Sequence, residues 1–515
     1  MTSLSRSLSR PNAHPGFITV SVMLTTIMQA LDTTIANVAL PHMQGAMGAT
    51  QDQISWVLTS YIVAAAIFMP LTGFLSARIG RKKVFMISVL GFTAASMLCG
   101  AAQSLGQLVV FRLLQGIFGA CLVPLSQSVL LDTYPKEKHA SAMAIWGVGV
   151  MVGPILGPSL GGWLTEYYNW RWVFYINLPF GLLAWFGLAA FVKETPTDNN
   201  RRFDMFGFAM LALAIGALQM MLDRGESQNW FSSYEIVAEA ILAGLGLYLF
   251  ISHIFTYRNP FIEPSIFKDR NYSVGLLFIF VVGIILLATM ALLPPFMQNL
   301  MGYPIIDVGF LLAPRGIGTM IAMVTVGKLA GRVDVRLLIL TGLLLTSFSL
   351  WEMTLYTTET TAFTIVKTGV TQGFGLGFIF VPLSTITFST LAPKFRNEGT
   401  ALFSLMRNIG SSIGISVVVT YLSQRTQINH AVFADYITPF NLPLQQAAQS
   451  GAFDLDSPTG LAMINAEVTR QAATLAYLQD FRLMMWITLA AIPLVLLLRN
   501  PTQKLSTNGH QAVLE

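Results

Sequence analysis

Charged residues are scarce in this chain of 515 residues: Asp, Glu, Lys and Arg make up 11%, against 54% hydrophobic residues and a mean hydropathy of +0.62. A typical soluble domain carries about 25% charged residues, and one or two soluble cores are too small to bury this much apolar surface. The composition therefore excludes a soluble globular enzyme, a soluble nucleic-acid-binding protein and a disordered chain. It indicates a protein whose solvent is the lipid bilayer.

Residues for metal, redox or nucleotide chemistry are also few. The two cysteines, Cys99 and Cys121, lie inside apolar runs, and the six histidines include no H-x-x-x-H pair. We therefore expect neither a disulfide framework nor a cysteine metal site. The sequence has no Walker loop, so it gives no support for ATP-driven transport, and no T-V-G-Y-G potassium filter. We expect no cofactor and no enzymatic activity.

Long apolar stretches recur along the whole chain between short polar breaks. A helix that crosses the hydrocarbon core needs about 20 apolar residues. The first stretch is not followed by a cleavage site, so we expect a retained helix and not a signal peptide. The sequence predicts an all-α polytopic membrane protein with fourteen transmembrane helices. The predicted spans are 16–41, 53–76, 84–103, 107–131, 141–163, 173–192, 204–222, 234–256, 272–297, 306–328, 336–356, 363–390, 398–422 and 481–498.

The basic residues lie mostly in alternate loops. With the N-terminus on the cytoplasmic side, 21 of the 30 Lys and Arg residues fall in cytoplasmic segments, six fall outside and three lie within spans. Cytoplasmic loops of membrane proteins carry an excess of Lys and Arg. The distribution predicts that both termini are cytoplasmic. It also explains the net charge of +5 without a nucleic-acid partner.

Two sequence patterns occur twice with a nearly constant offset. Residues 73–82 read G-F-L-S-A-R-I-G-R-K and residues 327–336 read G-K-L-A-G-R-V-D-V-R, while Q-G followed by V-P-L-S occurs at 115–126 and again at 372–384. Parallel repeats of this kind build transporters that rock around a central site. The offset exceeds the length of six spans, so a two-helix hairpin is predicted between two six-helix halves.

The resulting domain organisation has five parts. The only long polar segment is an extracytoplasmic loop within the second half, where Ser457 and Pro458 predict the start of an amphipathic helix that leads to the last span. This loop either covers the outer mouth or docks an extracytoplasmic partner. The predicted parts are a cytoplasmic tail (1–15), the N-terminal half (16–192), the hairpin with its cytoplasmic linkers (193–271), the C-terminal half (272–498) with the long loop (423–480), and a cytoplasmic tail (499–515).

Asp32 is the first candidate for chemistry, because it lies in the middle of the first span. An Asp at the bilayer centre costs about 2.5–3.5 kcal/mol on insertion scales and usually faces a cavity on an ion path. We interpret Asp32 as a proton-binding residue; the alternative is a structural pairing with a hydroxyl or an Arg. Arg112, inside the fourth span, either responds when Asp32 titrates or caps a hydrogen-bond network without any coupling.

Six further polar residues are candidates for lining a substrate cavity. Glu352 lies in the outer part of its span and either handles a proton or cation or is merely interfacial. Arg315 and Arg407 lie within spans of the second half, and either of them could instead extend its charge to the membrane interface. The cavity candidates are Gln29, Thr33, Asn37, Gln115, Glu352 and Arg407.

Two glycine-containing motifs are candidates for conformational roles. The fifth span, G-V-G-V-M-V-G-P-I-L-G-P-S-L-G-G-W-L at 147–164, has a composition that is unfavourable for an ordinary helix but permits close helix approach and bending. It serves either tight packing alone or a pliable contact that moves between states. The basic loop at 78–83 either sets topology or latches helix ends. The residues concerned are Gly153, Pro154, Gly157, Pro158, Gly161 and Gly162 in the span, and Gly73, Arg78 and Gly80 around the loop.

Taken together, these motifs resemble a known family. L-D-T-T-I-A-N-V-A-L-P at 31–41, G-F-L-S-A-R-I-G-R-K-K at 73–83, R-L-L-Q-G-I-F-G-A at 112–120 and the glycine-rich fifth span are similar to the signatures of the fourteen-helix drug:proton antiporters of the major facilitator superfamily. The stretches at 170–179 and 222–233 resemble those of the EmrB-type efflux pumps in particular. Ala77 departs from the pattern, because many relatives carry Asp there.

The resemblance implies a function and partners. Asp32 corresponds to the first-helix acid and Arg112 to the fourth-helix basic residue of the family motifs. The expected activity is export of lipophilic drugs and toxic compounds driven by proton entry. The resemblance also implies a Gram-negative inner membrane, a periplasmic membrane-fusion adaptor and, through it, an outer-membrane channel. Two alternatives stay open, which are an exporter of one specific metabolite and a non-transporting membrane sensor or scaffold.

Overall fold

The computed structural model describes residues 14–198, 202–329, 331–438, 440–449 and 457–499, and this part of the chain is built from helices. Thirteen helices are long and apolar enough to cross a membrane, or fourteen when a bent pair counts as one span. The prediction of an all-α polytopic protein with fourteen spans is confirmed. The two predicted tails lie largely outside the described residues, and the cytoplasmic location of the termini stays a prediction.

The N-terminal half contains six spans. The second span is a bent pair of helices, α2 (Gln51–Phe68) and α3 (Leu71–Ile79), whose axes differ by 56°. Pro70 lies between them as the N-cap residue of α3. Because Pro removes a helical hydrogen bond, it accounts for such a bend. The fourth span runs through α5 and α6 as a unit from Leu105 to Thr133. The helices are α1 (Pro15–Met47), α2 (Gln51–Phe68), α3 (Leu71–Ile79), α4 (Arg81–Ala101), α5 (Leu105–Gly119), α6 (Leu122–Thr133), α7 (His139–Tyr167), α8 (Trp172–Tyr175) and α9 (Asn177–Phe191).

The predicted hairpin is present as α10 (Met205–Arg224) and α11 (Tyr234–Thr256), which pack against each other. Asp204 fixes its base. The Asp204 carboxylate caps α10 by accepting from the Gly207 amide at 2.9 Å, and it contacts His253 Nε2 of α11 at 2.9 Å. Because α10 also packs on α2 and on α16 (Arg396–Ala434) of the C-terminal half, the hairpin touches both halves.

The C-terminal half repeats the arrangement of the first half with longer helices at its end. A π-helical turn, Phe296–Leu300, extends the first of these helices. The helices are α12 (Arg270–Pro295), α13 (Ile305–Leu329), α14 (Val335–Met353), α15 (Ala362–Ser389), α16 (Arg396–Ala434), α17 (Leu442–Gln449) and α18 (Pro458–Ala490).

Helices extend into the predicted loop 423–480 from both sides. α16 continues past 422 to Ala434, and α18 begins at Pro458 and runs into the predicted last span. The two extensions support each other, because Asn429 Nδ2 donates to the Ala472 carbonyl at 3.2 Å. The predicted spans follow the apolar stretches of the sequence. A helix can continue beyond such a stretch, so helix ends and span ends need not coincide. The predicted helix start is confirmed, since the Ser457 side chain caps α18.

The halves meet along two seams. α7 packs against α13, and α16 packs against α3 and α6. Trp146 of α7 is fully buried at the first seam, where it stacks on Phe380 of α15 with ring centroids 5.8 Å apart. Its indole nitrogen donates to Ser126 Oγ at 2.7 Å. α7 therefore connects the two halves while its other face contacts α1.

The glycines of the fifth span allow α1 and α7 to touch. A Cβ atom at Gly153 would overlap the Ala30 carbonyl, and one at Gly157 would overlap Thr34 Oγ1. Gly161 likewise faces Ile35, whereas a Cβ atom at Gly162 would meet nothing within 4 Å. Pro154 and Pro158 lie inside the helix between these contacts. Close packing, the simpler of the two interpretations, is therefore present at three of the four motif glycines.

We expect Gly157→Ala to lower the stability of the protein, because its methyl group has no room against Thr34 and overpacking costs about 1–3 kcal/mol. Gly162→Ala is the matched control in the same helix, and its effect should be neutral or stabilising, since Ala is the better helix former by about 1 kcal/mol. Thermal unfolding in detergent measures both. Equal midpoints for the two variants would contradict the described α1–α7 contact.

Candidate functional site

The Asp32 carboxylate is the centre of a buried hydrogen-bond network in the N-terminal half. Its side chain is 1% exposed and accepts three hydrogen bonds. Arg112 Nη1 of α5 donates to Oδ2 at 2.8 Å, while Gln115 Nε2 of α5 and Asn177 Nδ2 of α9 each donate to Oδ1 at 2.8 Å. The carboxylate therefore has three hydrogen-bond donors, and one of them is charged.

Arg112 is equally enclosed, with 1% of its side chain exposed. Besides Asp32, its guanidinium donates from Nε to the Val57 carbonyl of α2 at 3.2 Å and from Nη1 to Gln115 Oε1 at 2.8 Å. Its central carbon lies 4.3 Å from the ring centroid of Tyr61. The pair thus joins four helices, α1, α2, α5 and α9. Losing the charge of Asp32 would leave a buried guanidinium without its counter-ion, which is costly.

Asp32 is not among the residues that line the cavity described between the halves, and the expectation that it faces an aqueous cavity stays a prediction. A small cavity of about 30 Å³ lies between the halves, and no residue of α1 lines it. The Asp32 side chain is instead closed in by Arg112, Gln115 and Asn177. Satisfying the carboxylate with three donors requires close packing, which excludes open space. The cavity lining comprises Val150, Met151, Val282, Leu286, Thr319, Met323, Leu376, Phe380 and Arg407.

The corresponding position in the second half carries no charge. With the offset that relates Gln115 to Gln372, position 32 corresponds to Thr289. The contact itself is repeated, since Gln372 Nε2 donates to Thr289 Oγ1 at 3.3 Å. Position 112 corresponds to Gly369. The acid–base pair is therefore a feature of the N-terminal half alone.

The remaining cavity candidates lie in different surroundings. Arg407 lines the cavity, and Gln115 belongs to the Asp32 network. Gln29 Nε2 donates weakly to the Tyr61 hydroxyl at 3.4 Å, Thr33 Oγ1 donates to the Ala30 carbonyl of its own helix at 3.0 Å, and Asn37 is exposed. Glu352 lies at the end of α14, where Lys367 Nζ donates to its carboxylate at 2.6 Å, and it does not line the cavity.

The basic loop lies at the junction of the halves. A Cβ atom on Gly73 would come within 3.0 Å of Glu398 on α16. Gly80 has a φ of +95°, a conformation that favours glycine, and the Arg78 guanidinium lies 6.0 Å from the Phe74 ring centroid. Next to them, the carboxylate of Asp132 pairs with Arg81 of α4 and with Arg396 of α16. We call these three charged residues the latch.

Several of these residues escaped sequence reasoning. Asn177 was considered only as part of the stretch 170–179, which resembles the EmrB-type efflux pumps. An amide inside an apolar span is, however, itself a signal of a buried polar contact. Arg396 was counted only among the basic residues of the cytoplasmic segments, and Asp132 was not singled out. Nothing in their local sequence indicates that they meet. Their partnership depends on how the halves dock.

Asp480 is the most unexpected side chain of the second half. It was assigned to the exposed loop, yet it is 0% exposed on α18, and neither carboxylate oxygen has a hydrogen-bond partner in the described part of the chain. Its neighbours Tyr477 and Phe481 belong to an apolar cluster with Phe296 and Tyr356. A buried polar group without a partner costs about 1–3 kcal/mol in proteins.

The geometry gives no support to an enzyme. The described residues contain no group of three or more His, Cys, Asp or Glu side chains able to hold a metal ion. Residues 157–161 read G-P-S-L-G, the spacing of a hydrolase nucleophile elbow. Ser159, however, lies in the middle of α7 and not at the strand-to-helix turn that such an elbow needs.

Two pseudo-equivalent helical halves, a cavity between them and one buried acid–base pair define a membrane transporter. The family model of the Major Facilitator Superfamily matches residues 22–415. The chain belongs to this superfamily, and it is a multi-pass inner-membrane transporter and not an enzyme.

Characterised relatives and one solved structure are similar over most of the chain. The fatty acid resistance protein FarB of Neisseria gonorrhoeae is 36% identical over 490 residues, which are 94% of this chain and 96% of FarB. The multidrug export protein EmrB of Escherichia coli K12 is 36% identical over 494 residues, 94% of this chain and 95% of EmrB. The prediction of an EmrB-type efflux pump is confirmed. The crystal structure of the human organic anion transporter MFSD10 (TETRAN) matches with a TM-score of 0.59 at 13% identity, covering 93% of this chain and 100% of that one, which concerns the fold alone.

We expect Asp480→Leu to raise the stability of the protein by about 1–3 kcal/mol, because it replaces an unpartnered buried carboxylate with an apolar side chain of similar size. Thermal unfolding in detergent measures the change. Asp435→Leu is the control, since Asp435 is exposed and surface changes usually stay within about 0.5 kcal/mol. A destabilised Asp480→Leu variant would show that the carboxyl group has a partner after all.

Proposed function

We propose that this drug efflux transporter is a proton-coupled antiporter, which exports hydrophobic drugs and toxic compounds across the inner membrane by alternating access. The observation that carries the proposal is the Asp32–Arg112 pair, an ionisable acid buried in a membrane-spanning bundle at 1% exposure. Ionisable residues inside membrane spans are costly and mark ion pathways. Similarity to a multidrug export protein supports the drug part of the proposal.

Protonation of Asp32 is the first coupled step. A proton on the carboxyl removes the charge that neutralises Arg112 and turns an acceptor of three hydrogen bonds into a partial donor. The buried guanidinium then lacks its counter-ion, which raises the free energy of the packed state described here. Helices α1 and α5, which carry the pair, therefore favour a different relative position when Asp32 is protonated.

Helix α7 transmits this change to the cavity. One face of α7 contacts α1 through Gly153 and Gly157, and Val150 and Met151 line the cavity between the halves. A displacement of α1 therefore moves a wall of the substrate cavity. Proton and drug influence each other through linkage across α7 and not by competing for one carboxylate.

The latch provides a structural basis for alternating access. Asp132 pairs with Arg81 of one half and Arg396 of the other, and Ser128 donates to Asn397 beside them. These contacts hold the halves together at the predicted cytoplasmic ends, so the state described here is closed on that side. Drug entry from the cytoplasm requires the latch to open. Each proton that enters supplies about 2.3 kcal/mol per 100 mV of membrane potential.

Asp32→Asn should abolish proton coupling, because an amide keeps the shape of the side chain but carries no titrating proton. We expect purified native protein to release protons when a neutral lipophilic drug binds, and the Asp32→Asn variant to release none. Proton release in weakly buffered detergent solution measures this. Asp435→Asn, an exposed acid on the end of α16, should behave as the native chain. Native proton release from the Asp32→Asn variant would remove the assigned role.

We further propose that the transporter works with a periplasmic membrane-fusion adaptor and, through it, an outer-membrane channel. Helix α16 has 39 residues, so it is about 58 Å long and exceeds a hydrocarbon core of about 30 Å. Its last turns and the first turns of α18 form a protruding pair. Apolar side chains on this pair are about half exposed, which favours a protein contact. They are Ile428, Val432, Leu461 and Met463.

Ile428→Asp and Leu461→Asp should each weaken docking, because a charge is placed in the apolar contact. We expect reduced co-purification of a tagged adaptor, while drug transport in vesicles that lack the adaptor stays unchanged. His430→Ala, which removes only the exposed contact with Asn465, serves as the control. Undiminished co-purification in both charged variants would contradict docking at this surface.

A further inference from the structure

Helix α18 carries a carboxyl group on its buried face. Asp480 is 0% exposed, and so are Ala476 and Met484, one turn away on either side. Neither oxygen of Asp480 has a hydrogen-bond partner among the described residues. The adjoining positions on this face, Tyr477 and Phe481, belong to an apolar cluster that includes side chains of α12, α14 and the π-helical turn. The carboxyl group therefore lies in the interior of the second half.

None of the described ion pairs includes Asp480. Besides α12, α14 and α16, helix α18 packs against the π-helical turn and the short helix Ile492–Leu497. The turn and the short helix carry no charged residue, and α12 carries one only at its first position. The register of α16 against α18 is set by the contact between Asn429 and Ala472. In this register, the titratable groups of α14, α16 and α18 nearest to the carboxyl group are Glu352, Tyr356, Tyr421, Arg425, Tyr477 and Arg482.

These neighbouring groups do not neutralise Asp480. Glu352 is an acid and is paired with Lys367. Of the two arginines, Arg425 stacks on a tyrosine ring of its own helix, and Arg482 is exposed. The tyrosines carry no positive charge in either protonation state. Asp480 thus has no counter-ion among the described residues.

A negative charge would be costly in this position. An ionised carboxylate that loses its hydration and gains neither a donor nor a counter-ion is far less favourable than a neutral carboxyl group, so such a group takes up a proton instead. Asp32 has the opposite surroundings, because it accepts from three donors, among them Arg112. The two halves therefore each bury an acid, one in a site that suits a carboxylate and one in a site that suits a carboxylic acid.

We propose that Asp480 is a second proton-binding residue of the transporter and that it carries its proton in the state described here. The inference rests on the proposed proton-coupled export and adds a carboxyl group in the other half. The reaction is a simple protonation: a carboxylate oxygen of Asp480 accepts a proton from water, and deprotonation returns the proton to water. Asp480 lies at the predicted outer end of the last span, so the outer side is the predicted source of the proton.

Release of this proton requires the apolar cluster to open, because the ionised carboxylate needs water around it. The packed position of α18 is therefore tied to the protonated form. Helix α16 is coupled to this position, since Asn429 Nδ2 donates to the Ala472 carbonyl of α18 at 3.2 Å. The same helix begins with Arg396 of the latch. Protonation of Asp480 thus acts on the helix that closes the predicted cytoplasmic side.

The test records infrared spectra of the full chain in phosphatidylcholine nanodiscs at neutral pH. A protonated carboxyl group has a carbonyl stretch that is separate from those of a carboxylate and of an amide. We expect the difference spectrum between the native chain and Asp480→Asn to contain one carboxylic acid band, because the amide has the shape and neutrality of the protonated acid but lacks this band. A difference spectrum without the band overturns the proposal.

Asp480→Leu is the second variant, because it also lacks the carboxyl group and is expected to be at least as stable as the native chain. Its difference spectrum should contain the same band, so the test does not depend on the folding of one variant. Asp435→Asn removes an exposed acid and is the matched control. Its difference spectrum should contain no carboxylic acid band, and a band equal to that of Asp480→Asn would overturn the assignment.

A transport measurement decides whether this proton takes part in export. In proteoliposomes with an imposed pH gradient, the number of protons that enter per exported neutral drug should fall about twofold in Asp480→Asn, because each carboxyl group holds one proton and one of two is removed. A native proton-to-drug ratio overturns the transport role of Asp480. Absence of drug-coupled proton flux in the native chain refutes the proposed function, whereas native flux with unchanged infrared spectra of both Asp480 variants refutes this inference alone.

Discussion

A buried charge in a membrane bundle needs a partner, and the Asp32–Arg112 pair meets this need with an ion pair and two amide donors. The requirement explains why helices α1, α2, α5 and α9 converge at one point. It also makes the packing conditional on ionisation, because a protonated Asp32 no longer balances Arg112. In the proposed mechanism, one proton therefore changes the stability of a contact among four helices, and the glycine contact between α1 and α7 carries that change toward the cavity.

The two halves share a fold but differ in their charge. The first half neutralises its buried arginine internally. In the second half, neither Arg315, which is buried, nor Arg407, which lines the cavity, forms an ion pair with a described acid. The two halves therefore have different proposed roles. In the proposed mechanism one half responds to protons through Asp32, and the other half, together with Val150 and Met151 of α7, forms the cavity. The latch of Arg81, Asp132 and Arg396 joins them at one end, which is what a rocking motion about a central site requires.

Much of the architecture follows from local sequence. The spans, the hairpin between the halves and the helix start at Ser457 were predictable, because span length and helix capping depend on residues close together in the chain. Asp32 and Arg112 were recognisable for the same reason, since a charge inside an apolar run is visible without a structure. The ends of the last spans were not, because α16 and α18 continue as helices outside the apolar region.

The sequence by itself determined that this is a fourteen-span protein of two related halves with one acid in its first span. Only the tertiary structure decided that Asn177 joins the Asp32 network, that Asp132 links Arg81 to Arg396, and that Asp480 is buried with no hydrogen-bond partner among the described residues. The physical reason is distance along the chain: hydropathy is a sum over neighbouring residues, whereas a hydrogen-bond partner or a cavity wall is set by which helix faces meet.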